Sequence, residues 1–181
     1  MKHRLSFLLV AFSFVALSVR SELLPLPQQI SRSDEVFLCE EVAFRLPEEV
    51  KGMVTEWADE WQVKEKTNAS RRFEVHLVTD IPEALRNKDE AYTLHISREH
   101  IHIEAIKPQG VYRAMQTLRQ LTERSEQGVR VRGCRITDWP AFRIRGWMHD
   151  VGRSYISLEE LKREIAMLSR YKINTFHWHL T

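Results

Sequence analysis

The side chains best equipped for chemistry lie toward the C-terminal end of the 181-residue sequence: Asp138, Asp150, Arg153, His177 and His179. His177 and His179 are two positions apart, so on a strand they share a face and would present two imidazoles to a zinc ion. A catalytic zinc usually takes three protein ligands, and no partner motif supplies the third. Asp138 and Asp150 offer two carboxylates for acid–base work, yet no second feature brings them around one reacting bond. Both are read as structural. His76, His95, His100 and His102 also invite a metal reading. They alternate with apolar residues, which points them to the solvated face of an antiparallel sheet.

The elements that must position Asp150, Arg153 and the two late histidines follow from pattern. Arg145 to Val151 reads as a strand, Gly152 to Ile156 as a loop, Ser157 to Arg170 as a helix, and Asn174 to Leu180 as a second strand. Ser157 and Glu160 have the spacing of a capping box, and Ile156 and Leu161 that of a hydrophobic staple. Leu158, Leu161, Ile165 and Leu168 form the expected buried stripe. Strand, helix and strand with short connections imply a right-handed crossover between parallel strands. Parallel sheets need both faces covered, so the segment reads as the opening of an open α/β sheet or of a β/α barrel of ~250 residues. The sequence stops short of either.

Upstream, the Leu-Leu-Pro-Leu-Pro run from Leu23 reads as an extended lead-in. A strand is expected near Val36 to Phe44. A helix should then run from Pro47 to about Val63, with Val50, Met53, Val54, Trp57 and Trp61 at helical spacing and both tryptophans in the core. Period-two alternation predicts strands at Phe73 to Leu77, Tyr92 to Ile96 and Ile101 to Ile103, the last two as a hairpin. A helix follows from Gly110 to Leu121, with Val111, Met115, Leu118 and Leu121 on one stripe. Strands with helices on one face make a small α+β layer domain.

At the other terminus, Met1 to Arg4 is basic and Leu5 to Leu17 is apolar apart from Ser6 and Ser13, the pattern of a secretory signal peptide over residues 1–21, with cleavage after Ser18 or Ser21. The apolar run is shorter than the ~20 residues that span a bilayer, and no second span follows, so no permanent membrane span is expected. The chain is expected to be exported, to a periplasmic or extracellular location. Cys39 and Cys134 are the only thiols, and an exported chain would either join them in one bridge or bury them separately. A net charge of +2, with Lys and Arg scattered among Asp and Glu, argues against nucleic acid as a partner. The 43% hydrophobic content suits a chain that buries a core.

Three runs carry a family resemblance: Ile136-Thr137-Asp138-Trp139-Pro140-Ala141-Phe142; Arg145-Gly146-Trp147-Met148-His149-Asp150-Val151-Gly152-Arg153; and Tyr171-Lys172-Ile173-Asn174-Thr175-Phe176-His177-Trp178-His179-Leu180-Thr181. In order and spacing they resemble the signature of family 20 glycoside hydrolases, the β-N-acetylhexosaminidases. Gly110 to Leu118 is similar to the last helix before that family's barrel. The resemblance implies an α+β N-terminal domain over residues 22–138, followed from 139 to 181 by the first β-α-β unit of an incomplete (β/α)8 TIM barrel. It also implies N-acetylhexosamine-containing glycans as partners, and no metal or organic cofactor.

Arg153 matches the family arginine that grips hydroxyls of the terminal N-acetylhexosamine. The alternative for it is a pair with Asp150 or with another acidic residue at the barrel rim. Two positions depart from the usual pattern: Ser154 stands where many members have His, and His149 where the residue is more often apolar. The implied mechanism is substrate-assisted and retaining: the sugar's acetamide oxygen attacks the anomeric carbon, a glutamic acid protonates the leaving oxygen, and the preceding aspartate orients the acetamide. That Asp-Glu pair belongs after the fourth barrel strand, so no catalytic residue is expected in this chain and little activity from it alone. A non-catalytic glycan- or protein-binding module is the competing reading. An unrelated α/β hydrolytic enzyme is a third, but it would need a nucleophile elbow or phosphate loop, and neither is present.

Overall fold

The computed structural model describes residues 23–180. The expected signal peptide lies outside these residues. The chain runs β1 (Gln29–Cys39), β2 (Glu41–Arg45), α1 (Glu48–Trp61), β3 (Lys64–Glu65), β4 (Arg72–Leu77), β5 (Tyr92–Ile96), β6 (His100–Ala105), α2 (Pro108–Leu121), β7 (Thr122–Ser125), β8 (Gly128–Asp138), β9 (Gly146–Asp150), α3 (Leu158–Arg170) and β10 (Thr175–His179), with a short 3-10 turn at Lys88–Glu90.

The first eight strands form one mixed sheet in the order β1-β8-β5-β6-β4-β2-β3, with β7 also on β8. The single strand expected over Val36 to Phe44 is two. β1 pairs antiparallel with β8, whereas β2 pairs parallel with β4, four strands further along the order. One residue, Glu40, joins them. Strands lie about 4.8 Å apart and one residue spans under ~4 Å, so the sheet must curve back until its two ends nearly meet. The bend is visible in the β1–β8 ladder, whose register shifts between Arg32 and Val36. Gly133 sits opposite that shift, where an added Cβ would lie 2.3 Å from Ser33 Oγ. At the β7–β8 turn Gly128 has φ +93, a backbone that favours glycine.

α1 and α2 cover the inner face of this curve. Trp57 is fully buried and meets Phe73 edge-on at 5.5 Å, while its Nε1 donates to Thr122 Oγ1 at 3.3 Å. Met115 and Leu118 of α2 are buried in the same core, among Ile101, Ile103, Leu94 and Val131. Trp61 packs against it only partly buried. α2 begins two residues before the expected Gly110, because Pro108 occupies its first turn, where a missing N–H costs nothing. Thr93, His95, His100, His102 and Glu104 take the opposite face, as alternation predicts, with the His76 and His102 rings edge to face at 5.0 Å. β4 and β6 run parallel, however, so the histidine strands are not purely antiparallel. Cys39 and Cys134 are two separate buried free thiols, which settles the bridge question. They face different partners, Val129 and Arg32, along the β1–β8 ladder. Burial pushes their pKa values up to about 12 and about 11.

β9, α3 and β10 form a separate β-α-β unit whose strands are parallel and fully in register, from Gly146↔Thr175 to Asp150↔His179. The expected strand, helix and strand are all present. The capping box exists: Glu160 N donates to Ser157 Oγ at 3.2 Å and Ser157 N to Glu160 Oε2 at 3.1 Å. The expected buried stripe on α3 does not hold. Leu161 is buried, Leu168 only partly, and Leu158 and Ile165 are 61% and 44% exposed. A two-stranded ribbon is too narrow to cover the whole apolar face of a helix.

Candidate functional site

The two faces of β9 diverge in role. Trp147 Nε1 donates to Glu164 Oε1 at 2.8 Å, and His149 Nδ1 lies 3.0 Å from Glu164 Oε2, so this face looks toward α3. That explains the polar residue at 149: it meets a carboxylate where most strand–helix contacts are apolar. Asp150, one residue on, points to the other face.

At the carboxyl end of β9, Asp150 is a junction. Its Oδ1 accepts from the Gly152 N–H at 2.9 Å and lies 3.2 Å from His179 Nδ1, directly across the ladder on β10. Its Oδ2 lies 3.2 Å from Arg153 Nε. The His179 hydrogen bond and the Gly152 amide, against a smaller opposing effect of burial, hold its carboxyl below the ordinary range. Arg153 follows on the loop with its side chain 89% exposed. Asp150 engages the Nε edge, so the terminal nitrogens stand at the far end of the fork. His177 and His179 have their rings 6.3 Å apart and edge to face. Among the described residues no group of three or more His, Cys, Asp or Glu is placed to hold a metal ion.

The opposite ends of β9 and β10 rest on the large sheet. Lys172 Nζ donates to Asp138 Oδ2 at 2.8 Å and to Tyr92 Oη at 2.9 Å, and Tyr92 Oη lies 2.7 Å from Thr117 Oγ1. Asp138 Oδ1 also accepts from the Gln28 N–H at 3.1 Å. Burial depresses the Lys172 pKa more than Asp138 raises it, and burial with Asp138 beside it drives the Tyr92 phenol upward. Beside this cluster, Glu90 accepts from Arg113 Nε at 2.6 Å and pairs with Arg145 and Asn174. Burial resists ionisation of Glu90, but the two arginines outweigh it and leave its pKa lowered. Glu90, Tyr92, Arg113, Asp138, Arg145 and Lys172, with Trp139, Pro140 and Phe142, line a cavity of about 200 Å³. Asp138 and Asp150 therefore lie at opposite ends of β9 and share no site. Asp138 is held in a buried ion pair with Lys172, and Glu90 pairs with Arg145 beside it, contacts that sequence periodicity does not reveal.

A parallel β-α-β unit with an exposed guanidinium at its carboxyl rim rests on an α+β sheet, and the comparisons say which class of protein this arrangement belongs to. The family model "Glycosyl hydrolase family 20, domain 2" matches residues 20–139, and "Glycosyl hydrolase family 20, catalytic domain" matches residues 142–181. The chain belongs to glycosyl hydrolase family 20. It is 31% identical to a β-hexosaminidase of Porphyromonas gingivalis, covering 88% of this chain and 22% of that protein. It is 35% identical to a β-hexosaminidase of Vibrio furnissii, covering 88% and 26%. The structure of the Vibrio harveyi family 20 exo-β-N-acetylglucosaminidase in complex with N-acetylglucosamine is 35% identical, with a TM-score of 0.70 over 88% of this chain and 25% of that one. The chain thus spans about a quarter of the length of these relatives. No helix among the described residues is long and apolar enough to cross a membrane.

Proposed function

We propose that the protein carrying this sequence is an exported β-N-acetylhexosaminidase that releases terminal N-acetylhexosamine from glycans. The observation that carries this is the match of the family 20 catalytic domain to β9–α3–β10, with Arg153 open at the carboxyl rim, where β/α barrels build their sites. On this reading residues 139–181 open a (β/α)8 barrel, residues 22–138 form the α+β domain beside it, and residues 1–21 direct export.

Arg153 then binds hydroxyls of the terminal sugar through its outward nitrogens. The reaction is substrate-assisted and retaining: the acetamide oxygen of the sugar attacks the anomeric carbon as the leaving oxygen takes a proton. On this reading the carboxylic acid that gives this proton, and the aspartate that orients the acetamide, are not among residues 23–180.

The test is hydrolysis of a chromogenic N-acetyl-β-glucosaminide by the purified 181-residue product beside the product of the extended reading frame. Activity in the extended product alone supports the proposal. Turnover by the short chain would mean that its general acid lies within it. Inactivity of both would turn the reading to a glycan- or protein-binding module.

A further inference from the structure

We infer that Asp150 and His179 are positioning residues, which together hold the Arg153 guanidinium with its terminal nitrogens turned outward to the sugar. This rests on the reading of Arg153 as a sugar contact.

Arg153 is a long side chain on a loop, 89% exposed, whose backbone N–H and Nε both meet Asp150. An exposed ion pair at i, i+3 adds little to stability, so the Asp150–Arg153 contact is a poor candidate for a stabilising device. Its geometry is informative instead. Asp150 is the last residue of a strand and is set by the ladder to β10, whereas Arg153 is not. The carboxylate divides its oxygens: Oδ1 takes the Gly152 amide and faces His179, and Oδ2 is left for Arg153 Nε. His179 is the register partner of Asp150, so two strands fix one carboxylate, and that carboxylate fixes one edge of the guanidinium. A site held by strand residues in this way is more accurate than one left to a loop. The same contacts keep Asp150 ionised below the ordinary carboxylate range.

The test uses steady-state hydrolysis of the chromogenic substrate by the full-length gene product in a double-mutant cycle. Arg153→Ala is expected to lower kcat/KM ~100-fold, chiefly through KM, as loss of a charged hydrogen bond does. Asp150→Asn should lower it ~10-fold in the wild type and under ~2-fold when Arg153 is already Ala, because its effect passes through the guanidinium. His179→Ala should follow Asp150→Asn, and His179→Asn, which keeps an N–H near the Nδ1 position, should restore most of the loss. An equal factor for Asp150→Asn in both backgrounds, with Arg153→Ala itself impaired, overturns the positioning role alone. Unchanged kinetics in Arg153→Ala overturns the sugar contact beneath it. His179→Ala without effect removes His179 from the assignment.

Discussion

The curved sheet and the β9–α3–β10 unit are built from equally regular elements but are held by different forces. In the sheet, Trp57, Phe73, Ile101, Ile103, Met115 and Leu118 are all fully buried. In the β-α-β unit Trp147, Met148, Leu158, Ile165, Met167, Trp178 and Leu180 are 44–65% exposed, and Leu161 is the one large apolar side chain buried. Regular secondary structure therefore needs only local signals, while burial needs a second layer. Two helices supply it inside the curved sheet. The parallel pair β9–β10 has α3 on one face, and its remaining apolar surface has the character of faces that further elements cover in β/α folds. Between the regions the contact is polar and charged, through Lys172–Asp138, Arg145–Glu90 and the Tyr112–Ser169 hydroxyl pair.

The largest test of this contrast is a matched pair of truncations. Trp57→Ala should cost roughly 3–5 kcal/mol, the range for a large aromatic in a closed core. Leu161→Ala should cost less than half as much, because its neighbours on α3 already face solvent. Urea unfolding followed by far-UV dichroism gives the size, and limited proteolysis gives the place. Cleavage should begin within residues 141–181 in the parent chain and in Leu161→Ala, and should spread into residues 23–138 only in Trp57→Ala. Equal costs, or a β-α-β unit as resistant as the sheet, would break the comparison.

The signals that were legible in the sequence are the ones that act locally. Val50, Val54 and Trp57 repeat at helical spacing, Tyr92 to Ile96 and Ile101 to Ile103 alternate, and Ser157 with Glu160 announces a helix start; each of these elements is present. What escaped depends on contacts distant in sequence. β8 also has an alternating start, Val129-Arg130-Val131-Arg132, but Gly133 and Cys134 break the phase where the ribbon bends, and both are buried. The split at Glu40 follows from which strands pair, not from propensity. The motif spacing showed that Arg153 ends up beyond a strand, and the structure adds the Asp150 contact. Lys172 stands in one of the runs that carry the resemblance but was given no role, since a lysine after a helix reads as solvated.

Lys172 sharpens the comparison at the junction, with the next largest effect. It has φ 62, a backbone usually given to glycine after a helix, and yet carries a buried side chain. Lys172→Ala should lose about 3 kcal/mol, because Asp138 is left buried without its counter-charge. Lys172→Gly makes the same polar loss but releases the left-handed strain, so it should recover about 1 kcal/mol of it. Thermal unfolding of the two variants separates the terms. Both behaving like the parent would mean that the Lys172–Asp138 pair contributes nothing to joining the two regions.

The smallest expected effect returns to helix starts. α1 begins behind Pro47 with no side-chain cap, and its buried Val50, Val54 and Trp57 hold it in place. α3 begins with a complete capping box and buries little. Ser157→Ala should therefore cost about 1 kcal/mol, felt locally. Amide exchange at Leu158 to Leu161 should quicken severalfold while α1 is unchanged. If α3 instead shows no change, its first turn must be held by packing after all, and the apolar face of the β-α-β unit is better covered than its exposure implies. An effect that reaches α1 would show the polar junction transmitting strain between regions, which separate stabilisation forbids.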